Sequence, residues 1–209
     1  RNPDFYMIAK PLQADSLESI CKLDTIDAVR DESMIEVIQT VLSHVDRPIS
    51  ELYEQRKAID CPTLLLEADH QDIARFSNLV ADRGRNTVTA WTLALTYLYL
   101  TPGLPSIYQG SEVPMYGPGF PESQNMVEMI SADPDLKKVY ERISSAREKF
   151  PALVQGDFEQ VATDRGFSLF KRSWEGENVF FAINNDSESR FVKLDGIDQS
   201  MQLRGLFHD

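Results

Sequence analysis

The feature that most constrains this chain is a change of hydrophobic period part-way along it. Over the first three quarters, short apolar runs alternate with segments of helical spacing. The runs 5–9 (FYMIA), 25–29 (TIDAV), 63–68 (TLLLEA) and 105–108 (PSIY) each read as a short buried strand bounded by turn residues. Asp15-Ser16, with Glu18 behind it, offers an N-cap for a short helix after the first run. Residues 33–44 place Met34, Ile35, Ile38, Val41 and Leu42 on one helical face, and 48–57 continues as helix with Pro48 in its first turn. Residues 73–80 carry Ile73, Phe76 and Val80, and 86–100 form a long apolar helix closed by Thr101-Pro102-Gly103. Strand and helix alternating in this way predict parallel βα units.

The pattern then shortens. A helix over 133–149, with Leu136, Val139, Tyr140, Ile143 and Ala146 on one face, stops before Pro151. Beyond it the runs 158–162, 167–173, 178–184 and 190–194 are separated by Asp164-Arg165-Gly166 and Glu175-Gly176-Glu177, which predicts an antiparallel meander. The boundary falls near 151–156, dividing the chain into an α/β part, 1–150, and a β part, 151–209, expected to be truncated.

Composition excludes several classes of function. Acidic residues number 33 against 21 basic ones, and a net charge of -12 repels phosphate backbones, so nucleic acid is not an expected partner. No run approaches the ~20 apolar residues that span a bilayer, since residues 91–100 lead straight into a Pro-Gly turn. Cys21 and Cys61 lie in unrelated segments without CxxC or Cys/His spacing, so two buried thiols are expected and no metal centre. The chain opens on Arg1-Asn2-Pro3 without an initiator Met and reaches an apolar strand at once, which predicts that it starts inside a larger protein.

The segment Thr101-Pro-Gly-Leu-Pro-Ser-Ile-Tyr-Gln-Gly-Ser-Glu112 resembles the "PGiPxiYyGsE" run at barrel strand eight of the α-amylase superfamily, glycoside hydrolase family 13. Residues 146–153 (AREKFPAL) are similar to that family's "lRkxxPaL" entry into its domain C, and 170–172 (FKR) and 179–185 (VFFAINN) to its "afxR" and "vxvxiNxs" strands. The resemblance implies half of a (β/α)8 TIM-type barrel followed by an antiparallel β-sandwich. Gln124-Asn125-Met126-Val127 and Leu203-Arg204-Gly205-Leu206 are similar to Gram-positive, membrane-attached amylase-like proteins, implying an extracytoplasmic or membrane-attached location.

Retaining glycosidases need two carboxyl groups roughly 5 Å apart, a nucleophile and a proton donor. In the family these are an Asp after strand four and a Glu after strand five, with a second Asp after strand seven that holds sugar hydroxyls. The strand-four Asp has no counterpart here. Residues 5–10 line up with "fxliGE", which puts Lys10 at the acid/base position. An ammonium ordinarily titrates near ~10.4 and cannot simply replace that acid; Lys10 also reads as a strand-end charge reaching for solvent.

Residues 70–76 (HQDIARF) resemble "NHDxxRF". Asp72 and Arg75 are kept, His70 stands for Asn and Gln71 for His. A second register sets Asp69-His70 against Asn-His with one residue inserted, keeping a His and moving Asp72 away. The resemblance therefore implies Asp72 at the transition-state-stabilising position, with His70, Gln71 and Arg75 as sugar contacts, and neither metal nor cofactor. Asp72 reads equally as an N-cap of the 73–80 helix. Tyr108 and Glu112 are expected to shape the strand-eight end, and His44 and His208 to be surface residues.

The implied function is hydrolysis of α-glucosidic bonds in starch-type glucans, impaired by the replacements at Lys10 and Gln71. The alternative is a non-catalytic amylase-like module for carbohydrate binding or protein interaction. The implied partners are an α-glucan or oligosaccharide and an N-terminal barrel half, or a second chain, to close the fold.

Overall fold

The computed structural model describes residues 5–11, 17–61, 63–125 and 133–191. Four short strands, β1 (Ile8–Ala9), β2 (Ala28–Arg30), β3 (Leu64–Leu66) and β4 (Leu104–Pro105), form one sheet in sequence order, every pair parallel. Between them run α1 (Leu17–Cys21), α2 (Glu32–Ser43), α3 (Ser50–Ala58), α4 (Phe76–Ala81) and α5 (Thr87–Leu100). A 3-10 turn (Glu122–Gln124), α6 (Pro134–Lys149) and α7 (Ala152–Gln155) lead into a second, antiparallel sheet of β5 (Asp157–Asp164), β6 (Phe167–Trp174) and β7 (Glu177–Asn184). This is the order that the periodicity predicts, parallel βα units followed by an antiparallel meander.

The helices begin where their caps dictate. The Asp31 carboxylate accepts from Ser33 N (3.2 Å) and Met34 N (3.1 Å) at the head of α2. Asn86 accepts from Thr89 N (2.8 Å) at α5, and Asp133 accepts from Asp135 N and Leu136 N at α6. Each side-chain oxygen satisfies a first-turn N–H that has no helical partner. α5 is apolar on nearly every side and correspondingly buried, with Trp91, Leu95, Leu98 and Leu100 all in the core. Phe76 of α4 meets Trp91 edge-on at 5.0 Å. Met34, Ile38 and Leu42 bring α2 onto the same core with Leu64 and Leu66 of β3. In the second sheet Phe158, Phe170 and Phe181 pack on one another, and Glu175-Gly176, both at positive φ (46° and 87°), close the β6–β7 hairpin as a type I′ turn.

Arg172 and Arg147 join the two parts and Arg56 braces the same turn, each donating to backbone carbonyls. Arg172 of β6 is fully buried and donates to Leu100 O, Leu153 O and Gly156 O, each at 2.9 Å. Arg147 of α6 donates to Tyr99 O, Gly103 O and Leu153 O, and Arg56 of α3 to Pro102 O, Ile59 O and Cys61 O. They converge on residues 99–103, the electronegative end of α5. Burial lowers all three guanidinium pKa values, that of Arg172 to about 10, so each stays cationic at neutral pH. Gly103 is needed in this turn: at φ +138° a Cβ would lie 2.8 Å from Leu64 O and 2.9 Å from Leu66 Cγ.

Several expectations are corrected. Residues 5–9 are not a buried strand: only Ile8–Ala9 is extended in the sheet, and Ile8 is 58% exposed because β1 is a sheet edge among the described residues. The strand expected over 25–29 starts at Ala28, since Asp24 and Thr25 turn and the Asp27 carboxylate accepts from Met7 N (2.7 Å). α3 starts at Ser50, two residues past Pro48, and α4 at Phe76 instead of Ile73. Cys21 and Cys61 are not free thiols but a disulfide joining α1 to the segment before β3. Arg190 and Phe191 are not in a strand; the rest of the 190–194 run lies outside the described residues, as do Asp15, Ser16, Met126, Val127, residues 203–206 and His208.

Candidate functional site at the strand ends

In parallel βα architectures the carboxyl ends of the strands gather side chains from different elements onto one face. Here Lys10 follows β1, Arg30 ends β2, Glu32 opens α2, Glu67 to Asp72 follow β3, and Ser106 follows β4. The loop after β3 is fixed to α2 by buried Gln39, whose Nε2 donates to Ala68 O (2.8 Å) and Ala74 O (3.0 Å). The helix carrying Glu32 and the loop carrying His70 and Asp72 are thereby held together.

Lys10 Nζ lies between two carboxylates, 3.1 Å from Glu32 Oε1 and 3.2 Å from Asp72 Oδ2. His70 is buried, with 4% of its side chain exposed. Its Nδ1 accepts from Asp72 N (3.2 Å), which places the proton of the neutral ring on Nε2, 2.9 Å from Glu32 Oε2. Arg30 Nε stands 2.7 Å from Glu67 Oε2 and 3.7 Å from Glu32 Oε1, and Ser106 Oγ donates to Glu67 Oε1 (2.7 Å).

The electrostatics follow from these contacts. The Glu32 hydrogen bond raises Lys10 above the ordinary lysine value, against a smaller desolvation effect and with help from Asp72. Desolvation pushes Glu32 up, but the Lys10 hydrogen bond and the electrostatic influence of the neighbouring His70, Arg30 and Lys10 together outweigh it, so Glu32 sits below its usual range. Burial, and then the Arg30 charge, lower His70, which favours the neutral ring.

Asp69 and Arg75 lie beneath this face. Asp69 is buried and accepts from Phe76 N (2.5 Å) and Ser111 Oγ (3.0 Å), and burial pushes its pKa up to about 6. Arg75 is fully buried: it donates to Gln109 O (2.7 Å) and Ser123 O (3.0 Å), lies 3.5 Å from Asp69 and sits 4.3 Å above the Tyr108 ring. It shapes the loop after β4 from below, so its expected role as a sugar contact is corrected. Tyr108 supports that loop, and Glu112 accepts from Gly110 N (2.8 Å).

Asp72 does not cap a helix, because α4 begins after Arg75 and its first N–H goes to Asp69. Gln71 is exposed and its carbonyl accepts from Ser123 Oγ (2.6 Å). The two registers differed over whether His70 or Asp72 stays at the face; the fold brings both to Lys10 and Glu32. Lys10 is half-exposed and tied to carboxylates, not a free strand-end charge. His44 is no isolated surface residue either: its Nδ1 lies 2.7 Å from Thr40 O, and its Nε2 accepts from Arg83 Nε (2.8 Å).

Sequence reasoning missed Glu32, Arg30 and Glu67. Glu32 follows an Asp cap and reads as an ordinary first-turn acid, and Glu67 hides in an apolar run. Their positions directly after predicted parallel strands were the available signal. Among the described residues no group of His, Cys, Asp and Glu could hold a metal ion. A recess of about 340 Å³ at the opposite end of the sheet is lined by Arg56, Lys57, Ile59, Asp60, Pro102 and Phe158, but the Arg56 guanidinium there is already bonded to three carbonyls.

Comparison with known proteins agrees with this arrangement. Residues 156–209 match the family described as the alpha-amylase C-terminal domain. The chain superposes on an Anoxybacillus alpha-amylase with a TM-score of 0.88 and 32% identity, over 98% of this chain and 46% of that one. This chain is the C-terminal region of an α-amylase family member. A Geobacillus thermoleovorans alpha-amylase, solved in complex with acarbose, gives a TM-score of 0.79 and 28% identity over 89% of this amylase-family chain and 43% of its own. A beta/alpha-amylase of Paenibacillus polymyxa is 27% identical over 179 residues, 83% of this chain and 15% of that protein. The chain thus spans less than half the length of these relatives.

Proposed function

We propose that this chain forms part of an α-glucan site in which binding is kept and hydrolysis is impaired. The observation that carries the reading is the contact of Lys10 with Glu32 and Asp72. Cleavage of a glycosidic bond needs a proton donor whose pKa lies near the working pH. An ammonium between two carboxylates moves away from that range, and donating its proton would break both ion pairs. Asp72, in turn, is engaged by a cation at the place where the family uses an acid. The face retains Glu32, Asp72, His70 and Arg30, groups that hydrogen-bond hydroxyls without doing chemistry.

The remaining partner is protein. Tyr6 and Met7 before β1 and Ile8 within it are exposed, and among the described residues β1 is a parallel edge of the kind that pairs with further strand. An N-terminal barrel half, or a second chain, covers it in this reading. An extracytoplasmic location is supported by the Cys21–Cys61 disulfide, because such bonds persist in oxidising compartments. Among the described residues no helix is long and apolar enough to cross a membrane.

The intact protein, incubated with maltooligosaccharides and followed by product chromatography and NMR of the anomeric proton, is expected to bind them and give no turnover. Measurable hydrolysis with retention of configuration would refute the impaired reading.

A further inference from the structure

We propose that Glu32 is a ligand-binding carboxylate of this face and that Lys10 is its positioning residue, orienting Glu32 and Asp72 toward the hydroxyls of a neutral α-glucan. This rests on the α-glucan reading above and adds residues to it: nothing in the comparisons assigns a role to Glu32.

Four observations carry it. Glu32 is placed rigidly, on the first turn of a capped helix directly after a parallel strand, yet 44% of its side chain is open to solvent. Lys10 uses two of its three N–H donors on Glu32 and Asp72, and its own side chain is 43% exposed, leaving the third donor accessible. Behind them, buried polar atoms point into the same cluster without a hydrogen bond. His70 Nε2 faces Glu32 Oε2 from 2.9 Å and Arg30 Nε faces Glu67 Oε2 from 2.7 Å, but neither pair is in line, and Arg30 Nη2 also has no acceptor. Buried nitrogens held only by off-line ion pairs are uncommon in folded proteins, and a water or a ligand hydroxyl would complete their bonding. Finally, donors (Lys10, Arg30, His70) and acceptors (Glu32, Glu67, Asp72) alternate within a few ångströms.

That alternation selects the chemistry of the ligand. A hydroxyl both donates and accepts, so adjacent hydroxyls of a sugar can satisfy a carboxylate and an ammonium together. An anion would meet three carboxylates, and a free cation would have to displace Lys10. Lys10 therefore serves as a fixed cation that keeps both carboxylates aimed, a role that an acid at this position could not fill.

The test is calorimetric titration of the intact protein with maltoheptaose, comparing the parent with E32Q, K10M, K10R and the double variant K10M/E32Q, with thermal melting of each as a check on folding. E32Q is expected to weaken binding by roughly tenfold or more, the loss of a charge-assisted hydrogen bond. K10M should weaken it similarly, K10R should restore much of the affinity, and the double variant should lose little beyond either single one, because the two act as a unit. A folded E32Q within twofold of the parent overturns the proposal while leaving the α-glucan reading standing. Additive losses in the double variant, or no rescue by K10R, overturn the positioning role. If the parent itself fails to bind maltoheptaose at millimolar concentration, the α-glucan reading falls and takes this proposal with it.

Discussion

Asp69 shows how burial can outweigh hydrogen bonding at one carboxyl. It accepts from Phe76 N and Ser111 Oγ and lies beside Arg75, yet burial dominates and its folded-state pKa rises from 3.8 to about 6. A carboxyl raised in this way favours the folded state most below about pH 4, and that contribution is lost as pH rises through about 6. The melting temperature should therefore carry a component that falls between pH 4 and 6, and D69N should flatten it; unchanged pH dependence in D69N would show that another group is responsible. At this scale the sequence was only partly legible. Lys10, His70 and Asp72 were marked by their match to family motifs, but the match could not say what each touches. Arg75 matched as well and turned out to be buried. Glu32 carried no motif, because its significance comes from a neighbour 22 residues earlier in the chain and another 38 residues later, Lys10 and His70.

Among the elements, helices were readable where a cap residue preceded an apolar stripe or, in α5, a wholly apolar run. α2, α5 and α6 start within a residue of their Asp or Asn caps. Strands in the parallel sheet were read too long, since apolar runs continue past the few residues that pair, as 63–68 does around Leu64–Leu66. The antiparallel strands were read more closely because Glu175-Gly176 and Asp164-Arg165-Gly166 fix where they turn. What no local pattern showed was how β6 meets α5. Arg172 looks like an ordinary inward position of a strand, yet its guanidinium is wholly buried and bonded to carbonyls of 100, 153 and 156. R172M preserves volume and removes those donors, leaving buried carbonyls unpaired. We expect a loss of about 3–5 kcal/mol in chemical denaturation, since several charge-assisted hydrogen bonds go and the buried carbonyls keep no donor; a loss under ~1 kcal/mol would mean water replaces the guanidinium.

For the molecule as a whole, the open edge at β1 sets the terms of its solution behaviour. Among the described residues β1 pairs only with β2, and Ile8, Met7 and Tyr6 present exposed side chains at that edge, a combination that natural folds cover or charge. The 209-residue segment expressed alone should therefore self-associate in sedimentation experiments, and I8K should shift it toward monomer without lowering its melting temperature. A monomeric parent segment would show that the edge needs no cover.

The arginines that meet at residues 99–103 also bear on how such a protein could evolve. A terminal β domain is often treated as a bead that recombination can trade between lineages. Here one of the three guanidiniums comes from that domain, another from the helix leading to it and the third from α3, and all three bond carbonyls in the turn where α5 ends. A foreign domain spliced in after α6 would have to bring its own arginine to Leu100 O or leave that carbonyl bare. Exchanging the sheet would therefore cost the barrel half these bonds unless the incoming strand carries a donor at the same place.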